Sequence, residues 1–158
     1  MALSLGQMLA MFGAALSVFL GGLGSAIGCR ITGQAAAGVT AEDPDLFGKL
    51  LVIELLPGTQ GIYGFLIGLI VLIKTGFIGG SMMALDIDMG LRIFIGCLPV
   101  AIVCLVSAIA QGQVAASAIN MVGVKPDTSG KGITMAVTVE TYAVLALLAS
   151  FLMVWFAY

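Results

Sequence analysis

One acidic side chain in this sequence stands apart from every cation. After Lys131 the only charged residue is Glu140, set in a long apolar run with no basic residue to match it. A carboxylate at the centre of a bilayer costs about 2.5 to 3.5 kcal/mol on insertion scales. Holding an ordinary glutamic acid protonated at neutral pH costs roughly 3.7 kcal/mol. The two penalties are comparable and a bound cation relieves either, so Glu140 is a candidate switch among empty, protonated and ion-loaded states. The plainer alternative is a protonated glutamic acid hydrogen-bonded in a protein core.

Oxygen ligands occur at matching depth. Pro57 removes one amide hydrogen from its helix and frees carbonyls such as that of Leu56. Just beyond it Thr59 and Gln60 offer a hydroxyl and an amide oxygen, and Gln111 offers another amide oxygen. Tyr63, one turn after Thr59, can donate a hydrogen bond that orients the carboxylate. A hard cation wants several oxygens around it, whereas a proton needs only the carboxylate and one acceptor. Taken singly, Thr59 or Gln111 reads as helix-packing glue; together around a lone carboxylate they favour sodium over the hydrogen ion.

The elements that position these residues follow from where charge is absent. Of 158 residues 61% are hydrophobic and 9% charged, against about 25% charged in an ordinary soluble domain, which excludes a conventional cytosolic enzyme. Charge is missing before Arg30, between Glu54 and Lys74, between Arg92 and Lys125, and after Lys131 apart from Glu140. A spanning helix needs about 20 apolar residues, so an all-α membrane protein with four transmembrane helices is expected, at roughly residues 8 to 38, 48 to 73, 92 to 122 and 132 to 157. No basic segment precedes the first span, which argues against a cleaved signal peptide. The sequence has no histidine and three cysteines inside apolar runs, so zinc sites, histidine acid–base catalysis and disulfide scaffolds are not expected. A net charge of -2 without a basic cluster argues against nucleic-acid binding.

A constant offset, the one that carries Phe12 onto Phe94, exposes an internal repeat. It also superposes Ser25-Ala-Ile27 on Ser107-Ala-Ile109, Pro44-Asp45 on Pro126-Asp127, Gly48-Lys49 on Gly130-Lys131 and Thr59 on Thr141. The polar matches at one offset imply two tandem hairpins running in the same direction, 1–79 and 80–158. The same offset puts Gly58 opposite Glu140, one carboxylate per pair of hairpins. The turns are marked by Glu42-Asp-Pro-Asp45 and Lys125-Pro-Asp127. A weak excess of Lys and Arg beside them places the turns in the cytoplasm and both termini outside.

Spans one and three carry small residues at four-residue steps, such as Gly13, Ser17, Gly21 and Ser25, which let backbones approach. Spans two and four carry bulky runs. This predicts an inner layer of spans one and three, an outer layer facing lipid, and a homo-oligomeric ring of several chains. Arg30 and Glu54 lie equally far in sequence from the first turn, centred near Glu42. At similar depth on neighbouring helices, they are expected to form a structural ion pair. A second ion-carrying role for Glu54 is disfavoured by its shallow position.

The segments Leu55-Leu-Pro-Gly-Thr-Gln-Gly61, Ile109-Ala-Gln-Gly112 and Val139-Glu-Thr-Tyr-Ala143 resemble the membrane rotor proteolipids of V-type (V/A-type) ATPases, the K or c subunits, over nearly the whole chain. The resemblance implies that sodium is held by the Leu56 carbonyl, Thr59, Gln60, Gln111 and Glu140, with Tyr63 bonding the carboxylate. Glu54 departs from the uncharged polar residue expected at its position. The resemblance further implies a ring that carries one ion per chain past a stator subunit with an essential arginine and two half-channels. A central-stalk subunit would link ring rotation to ATP turnover in a soluble head. No organic cofactor is implied. The chain has no glycine-rich phosphate loop with Lys and Ser or Thr, so it is expected to be a non-catalytic subunit, multi-pass in the membrane, which is the cell membrane if the source is a prokaryote. The same rotor carrying hydrogen ions, or a small carboxylate-based secondary transporter, are the alternatives; the parallel sense of the repeat counts against the transporter.

Overall fold

The computed structural model of the chain describes residues 3–157; Met1, Ala2 and Tyr158, at the outer ends of the two expected hairpins, lie outside the described residues. The described residues form α1 (Leu5–Glu42), α2 (Phe47–Leu55), α3 (Thr59–Lys74), α4 (Ile87–Val124) and α5 (Ser129–Trp155), with short 3₁₀ turns at Pro44–Leu46, Leu56–Gly58 and Pro126–Thr128. Counted as apolar spans these are four: Leu5–Glu42, Pro44–Lys74, Ile87–Val124 and Pro126–Trp155. The 38 residues of α1 and of α4 measure about 57 Å at 1.5 Å per residue, nearly twice an apolar bilayer core of about 30 Å. Their ends therefore project beyond the hydrocarbon.

Local chemistry explains why these helices run further than the apolar stretches. Ser4 and Gln7 make a reciprocal capping box at the start of α1, Gln7 N donating to Ser4 Oγ at 3.1 Å and Ser4 N to Gln7 Oε1 at 2.9 Å. Asp86 caps α4 by accepting from Met89 N at 2.8 Å. The first tight turn is held by Asp43, whose Oδ1 accepts from Asp45 N at 3.1 Å before the Pro44–Leu46 turn. In the second, the Thr128 hydroxyl donates to Lys125 O at 2.6 Å. Between the hairpins the chain reverses at Gly76, whose φ of 75° costs a residue without Cβ little. Lys74 there donates to Trp155 O at 2.8 Å and lies 4.3 Å over the Trp155 ring.

Glycine decides how closely the helices cross. A Cβ on Gly6 would run into Asp86 O, and one on Gly28 would lie 2.5 Å from Ala108 O, so α1 and α4 pack backbone to backbone. On the other side of α1, a Cβ on Gly64 would run into Ser17 O, which seats α3. On α4, a Cβ at Gly96 would meet Val154 Cγ2 at 3.1 Å, and Val100 N donates to Ser150 Oγ at 2.9 Å, joining α4 to α5. The interior splits into two apolar clusters. One, containing Ile67, Val71, Ile93 and Val100, lies toward the long loop. The other, containing Leu50, Ile53, Ile119 and Val122, lies toward the tight turns. The polar layer that follows sits between them.

Candidate ion-binding site

The break between α2 and α3 is where Pro57 was expected to interrupt the second span. The chain tightens there into a 3₁₀ turn, with the Thr59 N–H donating to Leu56 O. Tightening turns the start of α3 so that Thr59, Gln60 and Tyr63 face α4 and α5. The Gly61 N–H, in the first turn of α3, is taken by Ser25 Oγ of α1 at 2.7 Å. On the facing side, Ser107 of α4 donates to Val139 O at 3.3 Å and holds α5 one residue before Glu140. Ser25 and Ser107 are repeat partners, and both tie a second helix to a first one beside the site. Neither stands out as a site residue in the sequence, although their matching positions in the repeat were a signal that could have found them.

Four of the candidate side chains meet directly. Glu140 Oε1 accepts from Thr59 Oγ1 at 2.7 Å and from Tyr63 OH at 2.6 Å, and Gln111 Nε2 stands 3.4 Å from the other oxygen. Gln60 joins through Gln111, donating to its Oε1 at 2.5 Å, while Gln111 Nε2 also donates to Ala136 O at 3.1 Å. Gln60 and Gln111 are fully buried and Glu140 is half-buried. Leu56 enters through its backbone, its carbonyl lying 3.0 Å from Thr59 Oγ1. Every buried side-chain nitrogen and oxygen among the described residues has a partner, so the layer is an ordered network rather than a defect.

The oxygen count gives the layer its chemistry. Thr59 Oγ1 has three oxygens within reach, Leu56 O at 3.0 Å, Gln60 Oε1 at 3.4 Å and Glu140 Oε1 at 2.7 Å, but owns one hydrogen. Proton donors are fewer than acceptors on that side, an arrangement a hard cation satisfies. Among the described residues no cluster of three or more Cys, Asp or Glu side chains gathers to hold a metal. A single carboxylate among neutral oxygens matches the charge of a monovalent cation.

The expected Arg30–Glu54 ion pair is not formed. Arg92–Asp88, at 2.7 Å on the exposed start of α4, is the one ion pair among the described residues. The physical reason is the height along the helix rather than the face. Thr32 is the α1 residue that faces the second span, its hydroxyl donating to Glu54 O at 2.9 Å. Arg30 precedes Gly33 by three residues, on the same side of α1 but about 4.5 Å along the helix at 1.5 Å per residue, and is exposed. The Glu54 carboxylate instead lies beside Gly33, where an added Cβ would be 3.2 Å from its Oε1.

Four apolar spans in two like hairpins, with one carboxylate set among neutral oxygens, define a multi-pass membrane proteolipid. The chain belongs to the family of the ATP synthase C subunit, whose profile matches it twice, at residues 12–71 and 94–153. The two matches begin at Phe12 and Phe94, the pair that sets the offset of the repeat. Over 149 residues the chain is 42% identical to the V-type sodium ATPase subunit K of Enterococcus hirae, covering 94% of this chain and 92% of that one. Over 142 residues it is 37% identical to the A-type ATP synthase subunit K of Methanocaldococcus jannaschii, covering 89% of this chain and 59% of that one.

Proposed function

We propose that this chain is the ion-carrying rotor-ring subunit of a V-type rotary ATPase and that the ion is sodium, held at Glu140. The observation that carries the reading is the convergence of the Thr59 and Tyr63 hydroxyls on one oxygen of Glu140, at 2.7 and 2.6 Å, with Gln111 at the other. In the loaded state Glu140 supplies the charge, and Thr59, Gln60, Gln111 and the Leu56 carbonyl supply neutral oxygens. Tyr63 orients the carboxylate from outside the ligand set. The name of the Enterococcus hirae relative, a sodium ATPase subunit, supports sodium over the hydrogen ion. Work is stored as charge crosses the membrane, about 2.3 kcal/mol per ion against 100 mV, so several ions per ATP is energetically sound.

The chain contributes no catalytic group of its own in this reading. A stator membrane subunit with an essential arginine loads and strips Glu140, a central-stalk subunit joins the ring to the soluble head, and ATP is hydrolysed or made there. The two tight turns face the cytoplasm and the termini face outside, in the cell membrane. Carbodiimide labelling of Glu140 at fixed pH tests the assignment. Sodium is expected to protect Glu140 from the reagent in a concentration-dependent way; protection by acid but not by sodium would leave a hydrogen-ion rotor instead.

A further inference from the structure

We propose that α1 acts as a clamp on the ion site: Ser25 and Thr32, on one face of α1, take up the backbone groups that the break at Pro57 leaves without partners, and so set how tightly the site binds sodium. The inference rests on the sodium reading of Glu140 and assigns the residues that position its ligands.

The break leaves loose ends on both sides. α2 ends at Leu55 and α3 begins at Thr59, so the last carbonyls of the one and the first N–H groups of the other have no partner in their own helix. In a bilayer such groups are costly unless another part of the protein satisfies them. A helix start is ordinarily capped by the side chain just before it, which accepts from the second or third N–H. Here that position is Gly58, which makes no side-chain cap. The third N–H, that of Gly61, goes instead to Ser25 Oγ at 2.7 Å. At the end of α2, Glu54 O accepts from the Thr32 hydroxyl at 2.9 Å. Ser25 and Thr32 are both buried and lie about two turns apart on α1 at 3.6 residues per turn.

The surface of α1 beside these two hydroxyls is shaped to the break. An added Cβ on Gly28 would lie 2.7 Å from Pro57 Cβ, and one on Gly21 would lie 2.9 Å from Gln60 O. The peptide unit between Gln60 and Gly61 is therefore seated on α1 at both its oxygen and its N–H. Thr59 and Gln60, which reach Glu140 and Gln111, project from that seated turn. Leu56, whose carbonyl belongs to the proposed ligand set, lies between the two clamped points. Without the clamp the chain is free to rewind from 3₁₀ to α. Three residues of 3₁₀ turn advance about 60° further than three of α-helix, enough to swing Thr59 and Gln60 away from their partners.

The second hairpin shows the converse. The offset that carries Phe12 onto Phe94 carries Pro57 onto Val139, and α5 runs from Ser129 to Trp155 without a break. It carries Thr32 onto Val114, which has no hydroxyl, and Ser25 onto Ser107, which donates to Val139 O instead of accepting from an N–H. Where the helix is whole, the threonine is absent and the serine has the opposite role.

Sodium protection of Glu140 from carbodiimide, measured in purified rings at fixed pH, tests the clamp through Ser25→Ala, Thr32→Val and the control Ser17→Ala. Ser17 is also buried on α1, but its hydroxyl bonds only Ala14 O of its own helix, at 2.8 Å. The sodium concentration for half-protection is expected to rise at least tenfold in Ser25→Ala and in Thr32→Val and to stay within threefold in Ser17→Ala, with native mass spectrometry showing whole rings throughout. Hydrogen exchange should speed up in peptides covering residues 54–63 and stay unchanged in those covering 133–147, a pattern that general loosening does not give. Half-protection within threefold of the unsubstituted protein in either clamp variant, or faster exchange spread over both regions, overturns the clamp. Loss of the ring in either variant makes that residue one of packing and overturns it as well. Unsubstituted rings that sodium fails to protect overturn the sodium reading instead, and the exchange pattern then still decides the clamp.

Discussion

Replacing Thr59 by valine keeps the side chain's shape and branching but removes its oxygen. The hydroxyl lies 2.7 Å from Glu140 Oε1 and 3.0 Å from Leu56 O, so the change deletes one hydrogen bond to a carboxylate and one neutral ligand. A hydrogen bond to a charged group contributes roughly 1.5–3 kcal/mol net. At about 1.36 kcal/mol per factor of ten, sodium affinity should fall by about 10- to 150-fold. The helix itself should stand, because the 3₁₀ turn at Leu56–Gly58 is set by Pro57 and closed by the Thr59 backbone N–H, which valine retains. The assay is carbodiimide labelling of Glu140 in purified rings across a sodium titration at fixed pH. Labelling without sodium should persist in the variant, and the sodium concentration giving half-protection should rise by the stated factor. Half-protection within threefold of the unsubstituted protein would refute the placing of Thr59 among the ligands.

Further changes probe the supporting layer and the packing. Gln111→Leu should weaken sodium protection by at least tenfold and also lower thermal stability. It strips the partner from the fully buried Gln60 amide, a loss of about 1–3 kcal/mol, which melting curves in detergent would register. Gly64→Ala drives a Cβ into Ser17 O and should destabilise by about 1–3 kcal/mol through overpacking. By contrast Gly48→Ala, where an added Cβ meets nothing within 4 Å, should be neutral or slightly stabilising in the same melting experiment.

The four spans were readable because charge in lipid is expensive, and the gaps between charged residues mark the membrane without reference to packing. Their true ends were less so, since Ser4 and Asp86 extend α1 and α4 by capping chemistry that hydropathy does not weigh. The break at Pro57 followed from a missing amide hydrogen, a property of one residue. Which residue types could surround an ion was likewise a matter of inventory: a lone Glu140 and a few neutral oxygens. Whether they meet depends on how far each helix is rotated about its axis, and sequence spacing constrains that weakly. Arg30 and Glu54 show how weakly spacing settles a contact even in height, for counting from the turn makes them level, whereas Glu54 stands level with Thr32 and its carboxylate lies beside Gly33. Ser25 and Ser107 do not stand out in the sequence for a related reason. A serine in a stripe of small residues looks like spacing, and only the contacts to Gly61 N and Val139 O show it holding the site's helices in place.

The central claim is that Glu140 carries the transported ion. It is tested most directly by Glu140→Gln in the whole ATPase reconstituted into vesicles, following ATP-driven uptake of radioactive sodium while native mass spectrometry verifies the ring. The amide keeps the shape and can still accept from Thr59 and Tyr63, but it has lost the charge, so an intact ring with no ATP-dependent sodium uptake is the expected result. Sodium uptake coupled to ATP at a rate near that of the unsubstituted enzyme would contradict the account.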